Sequence, residues 1–205
     1  LSIYNNDRFY RSRYRVLELA YMDSALQYCR PGSFYAYYLK AVKQIHSDQP
    51  AEAAATIHQL FNDRTLTYAE QAVNYFDLSN AYRLLGDEQK MLQYMALSSL
   101  SDIRAATKET AAMHALARLL YERGDNSNAY VFIKQALDDA EFYGARQRKV
   151  EISSILPLIA SAELNSSESK RKVWIMYALA LATVLVLVLL FSVIIYKQLK
   201  RLRVA

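Results

Sequence analysis

An uninterrupted apolar run near the C-terminus constrains this chain more than any other feature. The run begins at Val173, ends at Tyr196 and carries no charge over its 24 residues. As a helix it would be about 36 Å long, which exceeds the roughly 30 Å of bilayer hydrocarbon. Trp174 and Tyr177 lie near one end of the run, and Tyr196 lies at the other end. Such amphipathic aromatic rings are favoured in the headgroup region of the bilayer. The run therefore predicts a membrane-spanning helix, and the rest of the chain is interpreted as tethered to a membrane.

The basic residues gather around this run. All 20 acidic residues precede Lys170, together with 18 of the 25 Lys and Arg residues, so residues 1–169 carry a formal charge of −2. The other seven basic residues flank the run and carry +7, which suits anionic headgroups. No basic patch with interleaved aromatic residues occurs before the run, so we expect no nucleic acid partner for these residues.

The sequence offers no residues for catalysis, metal binding or cofactor binding. Its single cysteine, Cys29, excludes an internal disulfide and a Cys-based metal site. His46, His58 and His114 lie on separate predicted helices, without Cys or carboxylate at metal-ligand spacing. Gly-rich phosphate loops, nucleophile elbows and paired acid motifs are absent from the sequence. We therefore expect a protein that is not an enzyme.

The residues before the apolar run predict an all-α fold. Only 4 Gly and 3 Pro occur in the chain, and apolar residues recur at intervals of three and four. We expect the first 30 residues to form a helical hairpin with a cap at Asp23 and Ser24. The expected helix breaks fall at residues 31–33, 48–50, 62–63, 86–87, 124–125, 144 and 165–167.

These breaks recur at a regular interval. Gly86 and Gly124 are 38 residues apart, and each follows a similar helical segment and precedes an aspartate. Counting back 37 residues from Gly86 leads to Gln49, where a turn again separates two helical patterns. A recurring helix–turn–helix unit of this length predicts a helical solenoid.

The repeats resemble tetratricopeptide repeats (TPRs), with the usual unit of about 34 residues lengthened by a few. In this register the first helices pack through Leu78, Ser79 and Tyr82, and through Leu116, Ala117 and Leu120. Ala129 and Ala136 take the small positions of a second helix, with Met91 and Ser98 as their looser counterparts; the unit turning at Gln49 matches through Ala41, Ile45 and Ala54. The resemblance implies an α-solenoid of helical hairpins.

The expected organisation follows from these patterns. Residues 1–162 form the TPR-like solenoid, which ends in a capping helix at 146–162, with Pro157 as a kink. Residues 163–172 are a linker with a basic collar, 173–196 span the membrane, and 197–205 start a truncated juxtamembrane helix. The chain starts with Leu1 rather than Met, and we expect both of its ends to be cut.

A second resemblance covers nearly the whole chain and is strongest from Ala117 onwards. Residues 138–146, 150–153 and 155–159, together with the exit at residues 196–200, resemble a junction in a family of bacterial membrane proteins described as a domain of unknown function. The resemblance implies an extracytoplasmic TPR sensor, one membrane crossing, and a cytoplasmic coiled coil with a helix-turn-helix output. It places the chain in the bacterial inner membrane with residues 1–169 in the periplasm. No output module lies within the chain, so DNA binding is not expected of it.

The TPR resemblance also implies a ligand-binding groove. The first helix of each TPR unit lines the concave face of the solenoid, and the recurring cations there resemble a clamp for a peptide carboxylate. The alternative is that these are ordinary solvated charges. The register places these residues in the groove: Lys43, His46, Asn80, Arg83, His114, Arg118 and Tyr121.

Tyrosines are concentrated in the first forty residues. We expect most of them to pack between helices with their hydroxyls in water, and the alternative is an aromatic surface for a carbohydrate or peptide. The residues concerned are Tyr10, Tyr14, Tyr21, Tyr28, Tyr35, Tyr37 and Tyr38.

Two functions remain open from the sequence. The chain is either the sensing or protein-interaction region of a single-pass membrane-tethered transcriptional regulator, or a constitutive membrane-anchored scaffold that recruits a protein partner. Its partners are a peptide or protein in the groove, the membrane, and, in one arrangement, a second copy. The flanking charges do not decide the membrane orientation, and the sequence names neither ligand, oligomeric state nor regulated process.

Overall fold

The computed structural model describes residues 11–106 and 111–204, and these residues form helices without any strand. Contacts between residues divide the chain into two units, Leu1–Leu156 and Pro157–Ala205. The helices of the described residues are α1 (Arg11–Tyr28), α2 (Phe34–His46), α3 (Pro50–Asp63), α4 (Tyr68–Leu84), α5 (Glu88–Arg104), α6 (Ala111–Glu122), α7 (Asn126–Phe142) and α8 (Arg146–Val204).

The first unit consists of successive helical hairpins. α2 packs against α3, α4 against α5, and α6 against α7, while α3–α4 and α5–α6 contacts join each hairpin to the next. Helix α1 packs on α2, and the first turns of α8 complete the unit. This arrangement confirms the predicted all-α TPR-like architecture.

The Gly-Asp pairs at the two predicted turns end one helix and begin the next. Gly86 and Gly124 have φ angles of 76° and 80°, which side chains with a Cβ adopt only at a cost. The carboxylate of Asp87 accepts from the Lys90 amide at 3.0 Å, and that of Asp125 accepts from the Asn128 amide at 3.3 Å. Each aspartate is therefore an N-cap for the second helix of its hairpin.

The buried residues confirm the predicted repeat register. Leu78 and Leu116 are buried at equivalent positions of α4 and α6, next to the small residues Ser79 and Ala117. Ala136 is fully buried on α7, where the backbones of neighbouring helices must approach closely. One core cluster holds Ala41, Ala54, Ile57, Leu78 and Ala81, and a second holds Met95, Ala112 and Leu116.

Two buried serines form hydrogen bonds between α4 and α5, one donated from each helix. The Ser79 hydroxyl on α4 donates to the carbonyl of Met91 at 2.8 Å, and the Ser98 hydroxyl on α5 donates to the carbonyl of Ala72 at 2.7 Å. Both serines are buried, so these small side chains allow close packing without leaving a polar group unpaired.

Four stacked rings form a further contact among α3, α4 and α5, which we call the aromatic ladder: Phe61, Tyr75, Tyr94 and Tyr82. The Phe61 and Tyr75 centroids are 4.8 Å apart, and the Lys90 ammonium lies 4.8 Å from the centroid of the Tyr82 ring at the other end. The Nε2 atom of His58 lies 3.2 Å from the Tyr82 hydroxyl. The ladder covers the core cluster with amphipathic side chains.

The structure corrects the expected break at Asp23 and Ser24. Helix α1 continues through both residues, so the described part of the first 30 residues is one helix and residues 1–10 lie outside the described ones. Asp23 forms an ion pair with Lys43, and the Ser24 hydroxyl donates to the Ala20 carbonyl of its own helix at 3.0 Å. Because both side chains have these partners, neither caps a new helix.

Two further expectations differ from the structure. Residues 163–172, expected as a linker, are helical, and α8 contains Pro157 and continues to Val204. A turn that the sequence did not predict follows α5, where Ala106 takes the left-handed conformation with φ 51°. The sequence has no glycine there. At the expected turn before α3, Asp48 with φ 62° also adopts the left-handed conformation without being a glycine.

Helix α8 accounts for the second unit. By length and composition it is the one helix among the described residues that could cross a membrane. Apolar side chains such as Leu185 and Leu189 are exposed along it. Apolar surface of this extent, over a segment without charge, is unfavourable in water.

Candidate functional site

Three predicted site residues occupy equivalent positions of successive hairpins. Lys43 on α2, Asn80 on α4 and Arg118 on α6 are separated by 37 and 38 residues. His46, Arg83 and Tyr121 repeat at the same intervals one turn later. We call the surface that these positions define on α2, α4 and α6 the first-helix face.

Helix α1 engages the α2 end of this face. Lys43 forms an ion pair with Asp23, and Nδ1 of His46 lies 3.4 Å from Oε1 of the buried Glu18. The Arg15 guanidinium donates to the backbone carbonyl of His46. These contacts give Lys43 and His46 a role in holding α1 against α2.

The α4 residues of the face are not contacted by α1 in the way that Lys43 and His46 are. Asn80 is partly buried, and the Arg83 side chain is exposed in the last turn of α4. Within residues 11–106 and 111–204 no ion pair engages Arg83. Its guanidinium is therefore available to bind a carboxylate with two parallel hydrogen bonds.

The structure brings His114 of α6 near Arg118 of its own helix and near the charged residues Arg148 and Glu151 of α8. Burial lowers the pKa of His114, and the positive charges of Arg148 and Arg118 lower it further, while Glu151 opposes them. Arg148 donates to Glu151 at 2.8 Å, and Arg118 lies 3.4 Å from Glu122 one turn along its own helix. His114 is therefore a neutral hydrogen-bonding group at neutral pH.

Sequence reasoning missed two polar residues of α4. Asn74 is fully buried, and its amide nitrogen donates to the Glu70 carbonyl at 2.8 Å, but its Oδ1 atom accepts no hydrogen bond from the residues that the structure describes. Asp77 lies one turn further, and loss of hydration raises its pKa from 3.8 to about 7. In the sequence these two residues are visible only as polar positions close to the packing residue Leu78. Their importance becomes clear only when the structure shows how far they are buried.

The exposed tyrosines correct another expectation. Tyr21, Tyr28 and Tyr35 are exposed by two thirds or more, so they do not pack between helices in this chain. The Tyr37 hydroxyl donates to Asp63 at 2.5 Å, and this contact raises the Tyr37 pKa. Tyr10 lies outside the described residues.

A metal site finds no support in the described part of the chain. No group of three or more His, Cys, Asp or Glu side chains there could hold a metal ion. The first-helix face carries hydrogen-bond donors and positive charges at Asn80, Arg83 and Arg118.

Repeated hairpins with this register define a TPR protein, a class whose helical repeats mediate contacts between proteins. The family model described as the SusR N-terminal TPR domain matches residues 1–154, and the chain belongs to this family. No curated protein and no solved structure matches the chain.

Proposed function

We propose that the chain is the extracytoplasmic peptide-binding and sensing region of a single-pass membrane-tethered regulator. The observation that carries this proposal is the repetition of donor groups on the first-helix face. Arg83 and Arg118 come from successive hairpins, both are exposed, and Asn80 lies at the position equivalent to Arg118. A peptide with an acidic residue or a free C-terminal carboxylate is the complementary ligand.

The α2 end of the face contributes less in this proposal. Lys43 and His46 already contact acidic residues of α1, so a ligand would compete with Asp23 and Glu18 for them. The binding segment of the face then comprises Asn80, Arg83, His114, Arg118 and Tyr121.

Anchoring in the inner membrane is the second part of the proposal. Residues 173–196 are apolar and belong to a helix of sufficient length, with basic residues on both sides. In this arrangement residues 1–169 lie in the periplasm, and ligand binding favours one of two states whose affinities for the ligand differ. A constitutive scaffold would recruit the same partner without that second state.

Binding to the first-helix face is tested by peptide selection. The full chain in detergent micelles is exposed to a random peptide library with free C-termini, and the enriched peptides are measured by fluorescence anisotropy. Arg83→Ala and Arg118→Ala each weaken binding at least tenfold. Arg30→Ala, an exposed arginine outside the face, is the matched control and leaves affinity unchanged. Equal affinity of all three variants would discard the face as the binding site.

Orientation is tested separately by fusions after residue 10 and residue 205. A reporter that is active only in the periplasm gives signal at the first position, and one that is active only in the cytoplasm gives signal at the second. The opposite pattern would overturn the periplasmic assignment.

A further inference from the structure

Helix α1 places two carboxylates on the α2 end of the first-helix face. Asp23 forms an ion pair with Lys43, and Oε1 of Glu18 lies 3.4 Å from Nδ1 of His46. The Arg15 guanidinium donates to the backbone carbonyl of the same histidine. All three polar contacts reach the last turn of α2, so α1 binds the two residues through which α2 belongs to the face.

The later hairpins of the face are not occupied in this way. Arg118 lies 3.4 Å from Glu122 of its own helix. Among the residues that the structure describes, neither Arg83 nor Arg118 forms an ion pair with a carboxylate of the preceding helix. The α2 end is therefore the part of the face that acidic residues of the chain itself occupy. These carboxylates stand where the proposed function places the acidic groups of a ligand.

Packing holds α1 less firmly than it holds a helix within a hairpin. Among the side chains of residues 14–28, Met22 is the only apolar one that is buried, and Leu17 and Tyr21 are exposed. On α3, by contrast, the buried apolar side chains are Ala53, Ala54, Ile57 and Leu60. The stability of a docked helix grows with the apolar area that it buries, so α1 separates from the solenoid more easily than α3 does.

The docked position of α1 also leaves one acceptor unpaired. The Glu18 side chain is 5% exposed, and its Oε2 atom accepts no hydrogen bond from the described residues. A buried acceptor without a donor opposes docking, and this penalty disappears when water reaches the carboxylate. Helix α1 is therefore held by polar contacts to the face and opposed by an unsatisfied group within the same contact. A competing ligand can shift such a balance.

We propose that α1 is an internal ligand of the first-helix face, and that an acidic peptide displaces it from α2 and then binds Lys43 and His46. This inference rests on the peptide-binding function proposed above, and it adds the α2 end to the residues that bind the peptide. The carboxylates of the peptide replace Asp23 and Glu18, so the exchange leaves the side chains of α2 paired. A site that is covered most of the time has a reduced apparent affinity, so α1 sets how much peptide the protein needs.

Hydrogen exchange of the full chain in micelles tests the displacement directly. The chain is measured alone and saturated with the tightest peptide from the random library. An isolated helix of the length of α1 is marginally stable in water, so we expect the amides of residues 15–28 to exchange about tenfold faster in the complex. The amides of α3 are the reference and exchange at an unchanged rate. Equal exchange of α1 with and without the peptide would show that α1 stays docked, and would overturn the inference.

The affinities of α1 variants provide an independent test. Met22→Ala removes the buried side chain without changing any charge, and Asp23→Asn removes the ion pair with Lys43. Both changes loosen α1, so we expect the same peptide to bind about three- to tenfold more tightly. Tyr21→Ala, at an exposed ring of the same helix, and Asp138→Asn, at an exposed aspartate of α7, are the matched controls and leave affinity unchanged. Unchanged or weaker binding by both Met22→Ala and Asp23→Asn would contradict the inference.

A combined variant tests whether the peptide takes over the contact of Asp23. In the Asp23→Asn background the ion pair to α1 is already absent, so adding Lys43→Ala reports on the peptide rather than on α1. We expect this addition to weaken peptide binding about fivefold, because a charge-assisted hydrogen bond is lost. An unchanged affinity would mean that the peptide does not reach Lys43, and the inference would be wrong.

The two proposals fail in different ways. If no peptide is enriched above empty micelles, peptide binding by the first-helix face is wrong, and this inference fails with it. If peptides bind through Arg83 and Arg118 while the exchange of α1 and the affinities of its variants stay unchanged, peptide binding stands and α1 is a fixed part of the solenoid.

Discussion

The ring of Tyr94 stacks on the ring of Tyr82, with centroids 5.3 Å apart and planes 7° from parallel. The ring of Tyr75 also stacks on Tyr94, at 6.0 Å and 24°. Tyr94 therefore occupies the interior of the aromatic ladder and connects α5 to two positions of α4. Burial raises its pKa, and the nearby hydroxyls of Tyr82 and Tyr75 add to this effect.

Replacing Tyr94 tests the energetic weight of the ladder. We expect Tyr94→Ala to lower the free energy of unfolding by about 3 kcal/mol, since it removes two stacked contacts and leaves a cavity. Tyr94→Phe keeps the ring and costs less than about 1 kcal/mol. Urea unfolding of the full chain in micelles, followed by far-ultraviolet circular dichroism, measures both. Tyr21→Ala, at an exposed ring of α1, changes stability by less than about 0.5 kcal/mol. Equal effects of Tyr94→Ala and Tyr21→Ala would show that the ladder contributes nothing.

The hydroxyl of Ser98 provides a second prediction. Ser98→Ala removes its hydrogen bond to the Ala72 carbonyl without changing the packing much, so we expect a loss of about 1 kcal/mol. Ser153→Ala, at an exposed position of α8, is the control and is neutral or slightly stabilising. The same unfolding assay compares them, and a neutral Ser98→Ala would mean that the contact between α4 and α5 does not depend on this hydroxyl.

Asp77 predicts an unusual dependence of stability on pH. Its pKa is raised from 3.8 to about 7 in the folded state, so the folded protein holds this proton more tightly than the unfolded chain does. The resulting contribution is complete below pH 4 and is lost as the pH rises to about 7, by no more than about 4 kcal/mol.

The difference between the wild type and Asp77→Asn isolates this contribution from other titrating groups. Relative to the variant, the wild type becomes less stable as the pH rises from 4 to 7 and changes little above that. The lowered pKa values of His114 and Asp87 act in the opposite direction, but they are common to both proteins and cancel in the difference. A constant difference across this range would show that Asp77 is ionised at ordinary pH in the folded protein.

Ala106 offers a stabilising substitution. Its φ of 51° lies in the left-handed region, where a Cβ costs about 1 kcal/mol and glycine avoids that cost. We therefore expect Ala106→Gly to raise the free energy of unfolding by up to about 1 kcal/mol. Ala105→Gly, at the neighbouring residue in right-handed helical conformation, lowers it instead. Destabilisation by both substitutions would contradict this account of the turn.

The repeat could be predicted because its turns carry a chemical signature. Gly86 and Gly124 supply left-handed conformations, and the aspartates that follow them cap the next helix. The turn at Ala106 escaped prediction because an alanine gives no such signal. Helix α1 continues through Asp23 for a related reason: whether an aspartate caps a helix or pairs with a lysine on another helix depends on packing that sequence spacing does not reveal.

The sequence indicates which positions repeat on the first-helix face, but not what surrounds each of them. The repeat register placed Lys43, Asn80 and Arg118 at equivalent positions, because that information is periodic. The register does not reveal that Lys43 forms an ion pair with Asp23 of α1. It also does not reveal that the Asp77 carboxyl is desolvated by the surrounding protein. Both facts arise from the approach of separate helices, so they require three-dimensional coordinates.

The 37- and 38-residue intervals between Lys43, Asn80 and Arg118 also bear on how such proteins diversify. Because each hairpin contributes one position at a time, a point substitution changes one local preference and leaves the neighbouring hairpins as they were. Duplication or deletion of a whole hairpin lengthens or shortens the first-helix face. The length of this face and the chemistry of each of its positions can therefore evolve independently of each other.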